Sequence, residues 1–464
     1  MKAKINKNMK QTKEERMGTM PIPGLMLTLA IPSIIAQLIN VLYNIVDRMY
    51  IGHIPDVGFA ALTGVGVTLP IIMIISAFSS FIGAGGAPLA AIALGKGDRD
   101  KAEKILGNGV IMLLFFSVAL FLFFMAFKRP LLYMFGASDQ TISYAERYIT
   151  IYLAGTLFVQ FALGLNMFIS SQGQAKIAMC SVMIGAAVNI ILDPIFIFGF
   201  KMGVQGAALA TVISQGISAA WVVHFLLSEK SGIRIRQKNF VLDKTIILRV
   251  MALGISPFIM QSTESAITIV LNRGLSIYGG DVYVGSMTIL QSVMQLIVIP
   301  VQGFTQGVQP IISFNFGAGK FDRVKKTYRL TILCTFVATT VYTILAVNFP
   351  GVFAGIFTSD GELLALVEKV LPIFMAGIWL FGIQMGCQTI FMGLGQAKIS
   401  LSLALLRKVI LLIPLALILP KYFGVMGIYY SEPISDIISA STAGIIFLCV
   451  RKKIVSRDAL EKVK

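Results

Sequence analysis

Long runs of apolar residues alternate along the chain with short polar segments. A helix of about 20 residues crosses the roughly 30 Å of hydrocarbon in a bilayer, and backbone groups in lipid must be hydrogen-bonded within the segment. The alternating pattern of outer-membrane β-strands is missing from these runs. The pattern therefore predicts an all-α integral membrane protein with twelve transmembrane helices, near 24–52, 58–94, 105–127, 142–170, 177–198, 204–227, 246–278, 284–316, 330–348, 363–394, 399–419 and 424–450.

The composition agrees with a membrane protein. Of 464 residues, 56% are hydrophobic and only 13% are charged, and the mean hydropathy is +0.83, whereas soluble domains carry about 25% charged residues. The first twenty residues contain six Lys or Arg, and the apolar stretch that follows is too long for a signal-peptide core and lacks a small-residue cleavage site. We therefore expect this stretch to be retained as the first helix.

The four cysteines fall in apolar segments at wide spacings, with no CxxC pair and no clustered histidines: Cys180, Cys334, Cys387 and Cys449. This arrangement is typical of reduced cysteines that pack in a protein interior. The sequence predicts no metal site and no cofactor other than a coupling ion.

The distribution of basic residues predicts the orientation in the membrane. Of the 39 Lys and Arg, five would lie in loops opposite the N-terminus and five lie inside helices. The other 29 fall in the tails and in the loops on the N-terminal side, which is the asymmetry of the positive-inside rule. We expect a bacterial cytoplasmic membrane protein with both termini cytoplasmic. The formal charge of +17 then reflects topology and attraction to anionic lipid rather than nucleic-acid binding.

An internal repeat divides the chain into two halves. The segment Gly173-Gln-Ala-Lys176 recurs 222 residues later as Gly395-Gln-Ala-Lys398. Other markers keep nearly the same offset, namely 95–100 with 317–322, 203–206 with 424–427, and Pro32 and Asp47-Arg48 with Pro257 and Asn272-Arg273. Six crossings per half return the chain to its starting side, so we expect two six-helix bundles related by a pseudo-two-fold axis along the membrane normal.

These markers divide the chain into two helical lobes with tails and a linker. We predict a cytoplasmic tail over 1–20, an N-lobe over 21–228, a cytoplasmic linker over 229–245, a C-lobe over 246–450 and a tail over 451–464. A transporter with its cavity between the lobes is the natural interpretation, and a duplicated scaffold without a transport role is the alternative.

The energy source is predicted to be an ion gradient. The chain contains no GxxxxGK[ST] phosphate loop, which argues against direct use of ATP. Its only histidines, His53 and His224, lie near predicted helix ends, and no intramembrane His, Asp or Ser cluster resembles an enzyme site. We therefore expect a secondary transporter rather than an enzyme.

Ionisable residues inside the membrane are functional candidates because their burial is costly. Asp47 and Asp193 each lie five or six residues from the outer end of a predicted helix, about 8–9 Å below the boundary. Asn189 precedes Asp193 by one helical turn, and Thr211 lies at a comparable depth. Two carboxylates, an amide and a hydroxyl at one depth predict a site for a proton or a sodium ion, and Pro194 loosens the helix beside it.

Simpler interpretations of the same residues remain. Asp47 could pair with the adjacent Arg48 near the interface, and Asp193-Pro194 could be an ordinary helix-end turn. In the second half, Glu264, Glu432 and Asp436 are candidate acids of the cavity. The 22 Met and 32 Phe could line a promiscuous pocket, but lipid-facing helices also favour Phe, so none is assigned to the site.

This pattern resembles the multidrug and toxic compound extrusion (MATE) family, in its MepA-like bacterial branch, over residues 20 to 450. The resemblance rests on Pro32 with Asp47-Arg48, Asn189 with Asp193-Pro194, the segment 203–211, and the repeated GQAK. It implies that Asp47, Asn189, Asp193 and Thr211 form an N-lobe site for a proton or Na⁺. It also implies rocking antiport of cationic drugs and dyes. Asn272 stands at the repeat position of Asp47, which puts a second ion site in doubt.

The resemblance predicts a multidrug efflux antiporter that exports amphipathic organic cations, with no obligatory protein partner and function as a monomer. One alternative is a flippase of the same superfamily that moves lipid-linked precursors of the cell wall or of polysaccharides. Its cavity should be cationic to meet pyrophosphate, and intramembrane basic residues favour it: Arg48, Arg147, Arg273, Arg407 and Lys408. A receptor without transport is a second alternative, but it should carry a soluble signalling domain.

Overall fold

The computed structural model describes residues 13–358 and 360–462. The first half begins with a short helix, α1, and continues through seven further α-helices: α1 (Lys13–Thr19), α2 (Ile22–Gly52), α3 (Gly58–Gly95), α4 (Arg99–Met134), α5 (Ile142–Ala154), α6 (Thr156–Ser171), α7 (Ala175–Pro194) and α8 (Val204–Leu227). A π-helical turn, Ile195–Gly199, follows α7, and a 3₁₀ turn, Gln237–Asn239, lies between the halves.

The second half repeats this arrangement. Its helices are α9 (Lys244–Tyr278), α10 (Asp281–Gly317), α11 (Phe321–Asn348), α12 (Pro350–Gly355), α13 (Gly361–Met375), α14 (Ile378–Gly393), α15 (Ala397–Leu405), α16 (Ile413–Ile418), α17 (Pro420–Phe423), α18 (Met426–Ile454) and α19 (Arg457–Lys462). A π-helical segment, Leu406–Leu412, joins α15 to α16.

The predicted count of twelve membrane spans is confirmed. Ten spans among the described residues are long and apolar enough to cross a membrane, and two bent helix pairs complete the set when each is counted as one span. The bent pairs correct the predicted unbroken helices 142–170 and 363–394, since α5 and α6 meet at 58° and α13 and α14 at 45°. The bends fall at Gly155 and beside Gly377, where an added Cβ would meet Val212 and Pro433 respectively.

Several helices extend beyond their predicted ends. The third, predicted over 105–127, runs over 99–134, and the ninth, predicted over 330–348, begins at 321. Hydropathy identifies only the apolar part of a helix. The helix continues through polar turns outside the hydrocarbon, which hydropathy does not detect. The side chain of Asp98 caps the start of α4 by accepting a hydrogen bond from the backbone N–H of Lys101 at 3.0 Å.

The two halves are joined near the membrane face at which α2 begins and α3 ends, called here the N-terminal face. Two large apolar clusters near this face mix residues from both halves. Two others draw on one half each, within residues 50–208 and within residues 267–429. The halves therefore share a core at the N-terminal face and have separate cores toward the opposite, far face.

Glycines bring the helices of the two halves into backbone contact at this face. Helix α3 packs against α9 and α10, and α2 packs against α10. A Cβ added to Gly95 would collide with the carbonyl oxygen of Phe314, and one added to Gly317 would collide with that of Ile92. The pair Gly95 and Gly317, separated by the 222 residues of the repeat, lies at the crossing of α3 and α10. Only glycine at both positions permits this approach.

The predicted N-terminal tail, 1–20, is in part a packed element. Residues 1–12 lie outside the described residues, but Met17 is buried at 1% exposure. The guanidinium of Arg323 donates to the carbonyls of Met17 and Met20 at 3.0 and 2.8 Å. A Cβ added to Gly173, in the first half, would meet the sulfur of Met17 at 2.6 Å. Helix α1 therefore contacts both halves at the N-terminal face.

Candidate ion and substrate sites

Three helices of the first half carry the four residues of the predicted ion site. Asp47 lies five residues before the end of α2, Asn189 and Asp193 lie one turn apart on α7, and Thr211 lies in the second turn of α8. Asn189 and Asp193 are fully buried, and Asp47 and Thr211 are each 9% exposed. All four side chains are thus removed from bulk solvent.

The structure brings these side chains together. The amide nitrogen of Asn189 donates to Oδ1 of Asp193 at 3.2 Å and contacts Oγ1 of Thr211 at 3.5 Å. Asp47 is close enough to Asp193 for the two carboxyl groups to interact electrostatically. Two carboxyl groups, an amide and a hydroxyl therefore form one polar cluster.

Three oxygen atoms of this cluster are buried without a hydrogen-bond partner: Asp47 Oδ1, Asn189 Oδ1 and Asp193 Oδ2. A buried acceptor without a donor is energetically costly, and a buried charge more so. A proton on a carboxyl group, or a small cation between the oxygens, would remove that cost. The geometry therefore suits the transient binding of one of these ions.

Small residues and a proline fix the position of α7. Ser218 of α8 donates to the carbonyl of Ser181 at 3.0 Å, and a Cβ on Gly185 would collide with the hydroxyl of Ser218. This close packing holds Asn189 and Asp193 against α8. Pro194 cannot donate to the helix ladder, and the backbone widens into the π-helical turn directly after it.

Tyrosines around Asp47 were missed by the sequence reasoning. Tyr43 and Tyr148 lie close enough to Asp47 to interact with it, and the hydroxyl of Tyr148 reaches Thr211. A signal for Tyr43 was present, because it precedes Asp47 by one helical turn and so shares its face. No local pattern marked Tyr148, which is brought to the site by α5.

The simpler interpretation of Asp47 receives no support from the geometry. Arg48 is exposed, whereas Asp47 faces inward. Among the ion pairs of the described residues, none joins Asp47 to Arg48. Arg48 is therefore near enough to act on Asp47 electrostatically but does not hold its carboxyl group in an ion pair.

The candidate acids of the second half all have basic partners. Nζ of Lys408 lies 2.7 Å from Oε2 of Glu264. The guanidinium of Arg407 donates to Asp436 at 2.7 Å and to Glu432 at 3.0 Å. The sequence predicts these acids and bases as separate candidates but not their pairing, because their positions lie up to 144 residues apart along the chain.

The π-helical segment Leu406–Leu412 places the two basic side chains side by side in the interior. Both Arg407 and Lys408 are buried there, and the Arg407 guanidinium also lies 4.3 Å from the ring centre of Phe381. This segment corrects the predicted regular helix 399–419. A π-helical turn widens the helix locally and changes the direction of adjacent side chains.

The polar cluster of the first half has no equivalent in the second. Adding the repeat offset of 222 to Asn189 and Asp193 gives Leu411 and Leu415, and Asn272 stands in the place of Asp47 at the offset of 225 that relates Pro32 to Pro257. Among the described residues there is no group of three or more His, Cys, Asp or Glu that could hold a metal ion.

Comparison with known proteins supports a common origin of this architecture. The MatE family model matches residues 32–195 and 257–418. The multidrug export protein MepA of Staphylococcus aureus (strain N315) is 26% identical over 434 residues, 94% of this chain and 95% of its own length. MepA of Staphylococcus haemolyticus is 25% identical over 440 residues, 95% of this chain and 96% of its own.

Solved structures share the fold. An outward-facing MATE family transporter of the MOP superfamily superposes with a TM-score of 0.87 at 23% identity, over 97% of this chain and 99% of its own. A MOP superfamily transporter from Pyrococcus furiosus, described as having a binding pocket of reversed polarity, also has a TM-score of 0.87, at 22% identity, over 97% of this chain and 99% of its own. The family model covers more than half of the chain, once in each repeated half, and the protein therefore belongs to the MatE family.

Proposed function

We propose that this protein is a multidrug efflux antiporter, a secondary transporter rather than an enzyme. It would export amphipathic organic cations in exchange for protons, or for sodium ions, by alternating access. Two relatives named multidrug export proteins match 94% and 95% of this chain. A solved structure matched over nearly its full length shares the fold. These similarities support export as the activity of the chain.

The observation that carries the proposal is the buried polar cluster of Asp47, Asn189, Asp193 and Thr211. Three of its oxygen atoms have no hydrogen-bond partner, and among the described residues neither carboxyl group forms an ion pair with a basic side chain. An ion that binds this cluster from one side of the membrane and is released on the other side would couple its own electrochemical gradient to export of the substrate.

The joined N-terminal face supports alternating access. The cores near this face mix both halves, whereas the cores toward the far face are separate. Asp47 and Asp193 lie toward the far face, where the halves have separate cores. A second state would separate the halves at the glycine contacts and expose the cavity to the N-terminal side.

We prefer the proton as the coupling ion. The four proposed ligands offer two carboxyl groups, an amide and a hydroxyl, whereas a sodium ion generally takes a fuller shell of oxygen atoms. If sodium is the ion, the same four residues would hold it. The proposed location is a bacterial cytoplasmic membrane with both termini cytoplasmic, from the 29 to five asymmetry of basic residues.

Two of the basic residues that favoured a flippase are not available to bind pyrophosphate in the structure. Arg407 and Lys408 are bound to carboxylates, so they do not offer free positive charge to a pyrophosphate group. Arg48, Arg147 and Arg273 are exposed. The carboxyl groups of Asp47 and Asp193, which form no ion pair within the described part of the chain, therefore favour a cationic substrate.

Reconstitution tests the proposal directly. Purified protein in liposomes should move ethidium, a fluorescent organic cation, against its concentration gradient when an ion gradient is imposed, and protein-free liposomes should not. Absence of uphill ethidium movement under both a proton and a sodium gradient would refute the proposed function.

A further inference from the structure

We propose that Lys408 is a tethered competitor for organic cations: its ammonium occupies the Glu264 carboxylate until a substrate cation displaces it. Lys408 would then set the affinity and the charge selectivity of a cation-binding position in the second half. This inference rests on the proposed function, because it concerns how the exported cation is recognised.

The two basic residues of the π-helical segment differ in how firmly they are held. Arg407 binds two carboxylates, stacks on Phe381, and its side chain is 5% exposed. Asp436, its nearer partner, is fully buried. Such a pair cannot exchange partners without exposing buried charge, so we regard Arg407 as a fixed part of the structure.

The Lys408 pair is open on one side. Lys408 has a single carboxylate partner, and the side chain of Glu264 is 40% exposed although that of Lys408 is only 7% exposed. The Glu264 carboxylate therefore has an uncovered side, while the lysine approaches it from the protein interior. A lysine ammonium is also a mobile point charge on a flexible stem, unlike the rigid guanidinium fork.

Glu264 lies on the helix of the second half that packs against the first half. Helix α9 packs on α3 of the other half, where Phe258 contacts Phe78 and Phe81 with ring centres 4.9 and 5.4 Å apart. Glu264 lies six residues beyond Phe258 toward the far face, where the two cores separate. It is 20 residues from the start of α9, about 30 Å into the helix.

The interior can receive the displaced ammonium. Glu432 lies near enough to interact with Lys408 as well as with Arg407. Oδ2 of Asp436, in the same cluster, is buried without a hydrogen-bond partner. A lysine released from Glu264 therefore has a carboxylate to approach, so its displacement would not leave a bare charge in the interior.

Charge balance points to a monovalent ligand. The cluster contains three carboxyl groups and two basic groups: Glu264, Glu432, Asp436, Arg407 and Lys408. With all five ionised, the cluster has one negative charge in excess, which one monovalent cation neutralises. With these charges, the cluster fits a monocation better than an anion or a dication.

Binding of tetraphenylphosphonium, a permanent monocation, to the purified full-length protein tests the proposal. Removal of the competitor in Lys408→Gln should tighten binding about tenfold, equivalent to ~1.4 kcal/mol, because Glu264 is then vacant. Lys408→Arg, which keeps the charge, should bind within about twofold of the unmodified protein. Lys421→Gln, which neutralises an exposed lysine of the same half, is the matched control.

Further variants separate competition from a general structural effect. Glu264→Gln should weaken binding, and Glu264→Gln combined with Lys408→Gln should lose the gain seen with Lys408→Gln alone. If Lys408→Gln unfolds, Lys408→Met provides a second neutral side chain, and the affinity for a neutral dye of similar size should not change in either variant.

The outcomes distinguish this inference from the proposed function. If the unmodified protein transports ethidium but folded Lys408→Gln and Lys408→Met bind tetraphenylphosphonium no more tightly than Lys421→Gln, the inference is wrong and the proposed function stands. If the unmodified protein neither binds nor transports organic cations, the proposed function itself fails.

Discussion

The amide nitrogen of Asn189 lies 3.2 Å from Oδ1 of Asp193, one helical turn away on the same helix. The amide thus satisfies one carboxyl oxygen of Asp193, and the other, Oδ2, is buried without a partner. Asn189 therefore orients the carboxyl group and leaves one oxygen free for an ion. This arrangement separates the residue that positions the carboxyl group from the atom that would take up the ion.

Asp193→Asn should leave a folded protein that no longer moves ethidium uphill. The substitution keeps the shape and one acceptor but removes the group able to take up and release a proton. Ethidium flux into proteoliposomes measures the effect, with Asp139→Asn, on an exposed loop, as the matched control. Uphill transport by Asp193→Asn at the unmodified rate would contradict the assignment of this residue.

Proton coupling should be visible as transport without sodium. We expect ethidium transport when a pH gradient is imposed in sodium-free buffer, and none when a sodium gradient is imposed at equal pH. A charge moved through 100 mV is worth about 2.3 kcal/mol, so one proton exchanged for one monocation is electrically silent, whereas two protons make transport sensitive to an imposed potential. Transport driven by sodium alone would overturn the choice of ion but not the four-residue cluster.

The loop between the two halves should be cytoplasmic. Lys238 is 58% exposed and pairs with Asp100 near the N-terminal face. In a variant without the four native cysteines, Lys238→Cys should not react with an impermeant thiol reagent in intact cells, but should react after lysis. Lys421→Cys, predicted on the outside, should react in both. Labelling of Lys238→Cys in intact cells would reverse the predicted orientation.

Arg407→Gln should destabilise the protein strongly. It leaves Glu432 and Asp436 buried without their cation, and removal of one partner from a buried ion pair typically costs about 3–5 kcal/mol. We expect a clearly lower melting temperature in detergent, whereas Arg273→Gln, at an exposed position of the same half, should change it little. A melting temperature unchanged in Arg407→Gln would show that the pairing carries no stability.

Gly95→Leu should prevent closure of the N-terminal face, because its side chain would occupy the place of the Phe314 carbonyl. Spin labels at Lys101 and Lys325, one on each half, should move apart in this variant. Gly66→Leu, on the same helix with nothing within 4 Å of an added Cβ, should leave their distance unchanged. Equal distances in both variants would show that the glycine contact does not hold the face closed.

The apolar runs were sufficient to predict the twelve spans, and depth along the helices was sufficient to bring Asp47, Asn189 and Asp193 to one level. Both inferences need only the fixed rise per residue of an α-helix and the fixed thickness of the hydrocarbon layer. The bend at Gly155 depends on Val212, and the pairing of Lys408 with Glu264 depends on a widened turn. Such features arise from contacts between distant segments, which hydropathy and spacing do not contain.

The close approach of Gly95 to the Phe314 carbonyl, and of Gly317 to the Ile92 carbonyl, constrains how far the sequences of the two halves can diverge. Both glycines lie at the same crossing of α3 and α10, so a larger side chain at either position obstructs that crossing. Residues remote from this crossing have no such tie: Asp193 and its counterpart Leu415 differ completely in polarity. The interiors of the two halves can therefore differ in polarity while the residues at the crossing stay the same in both.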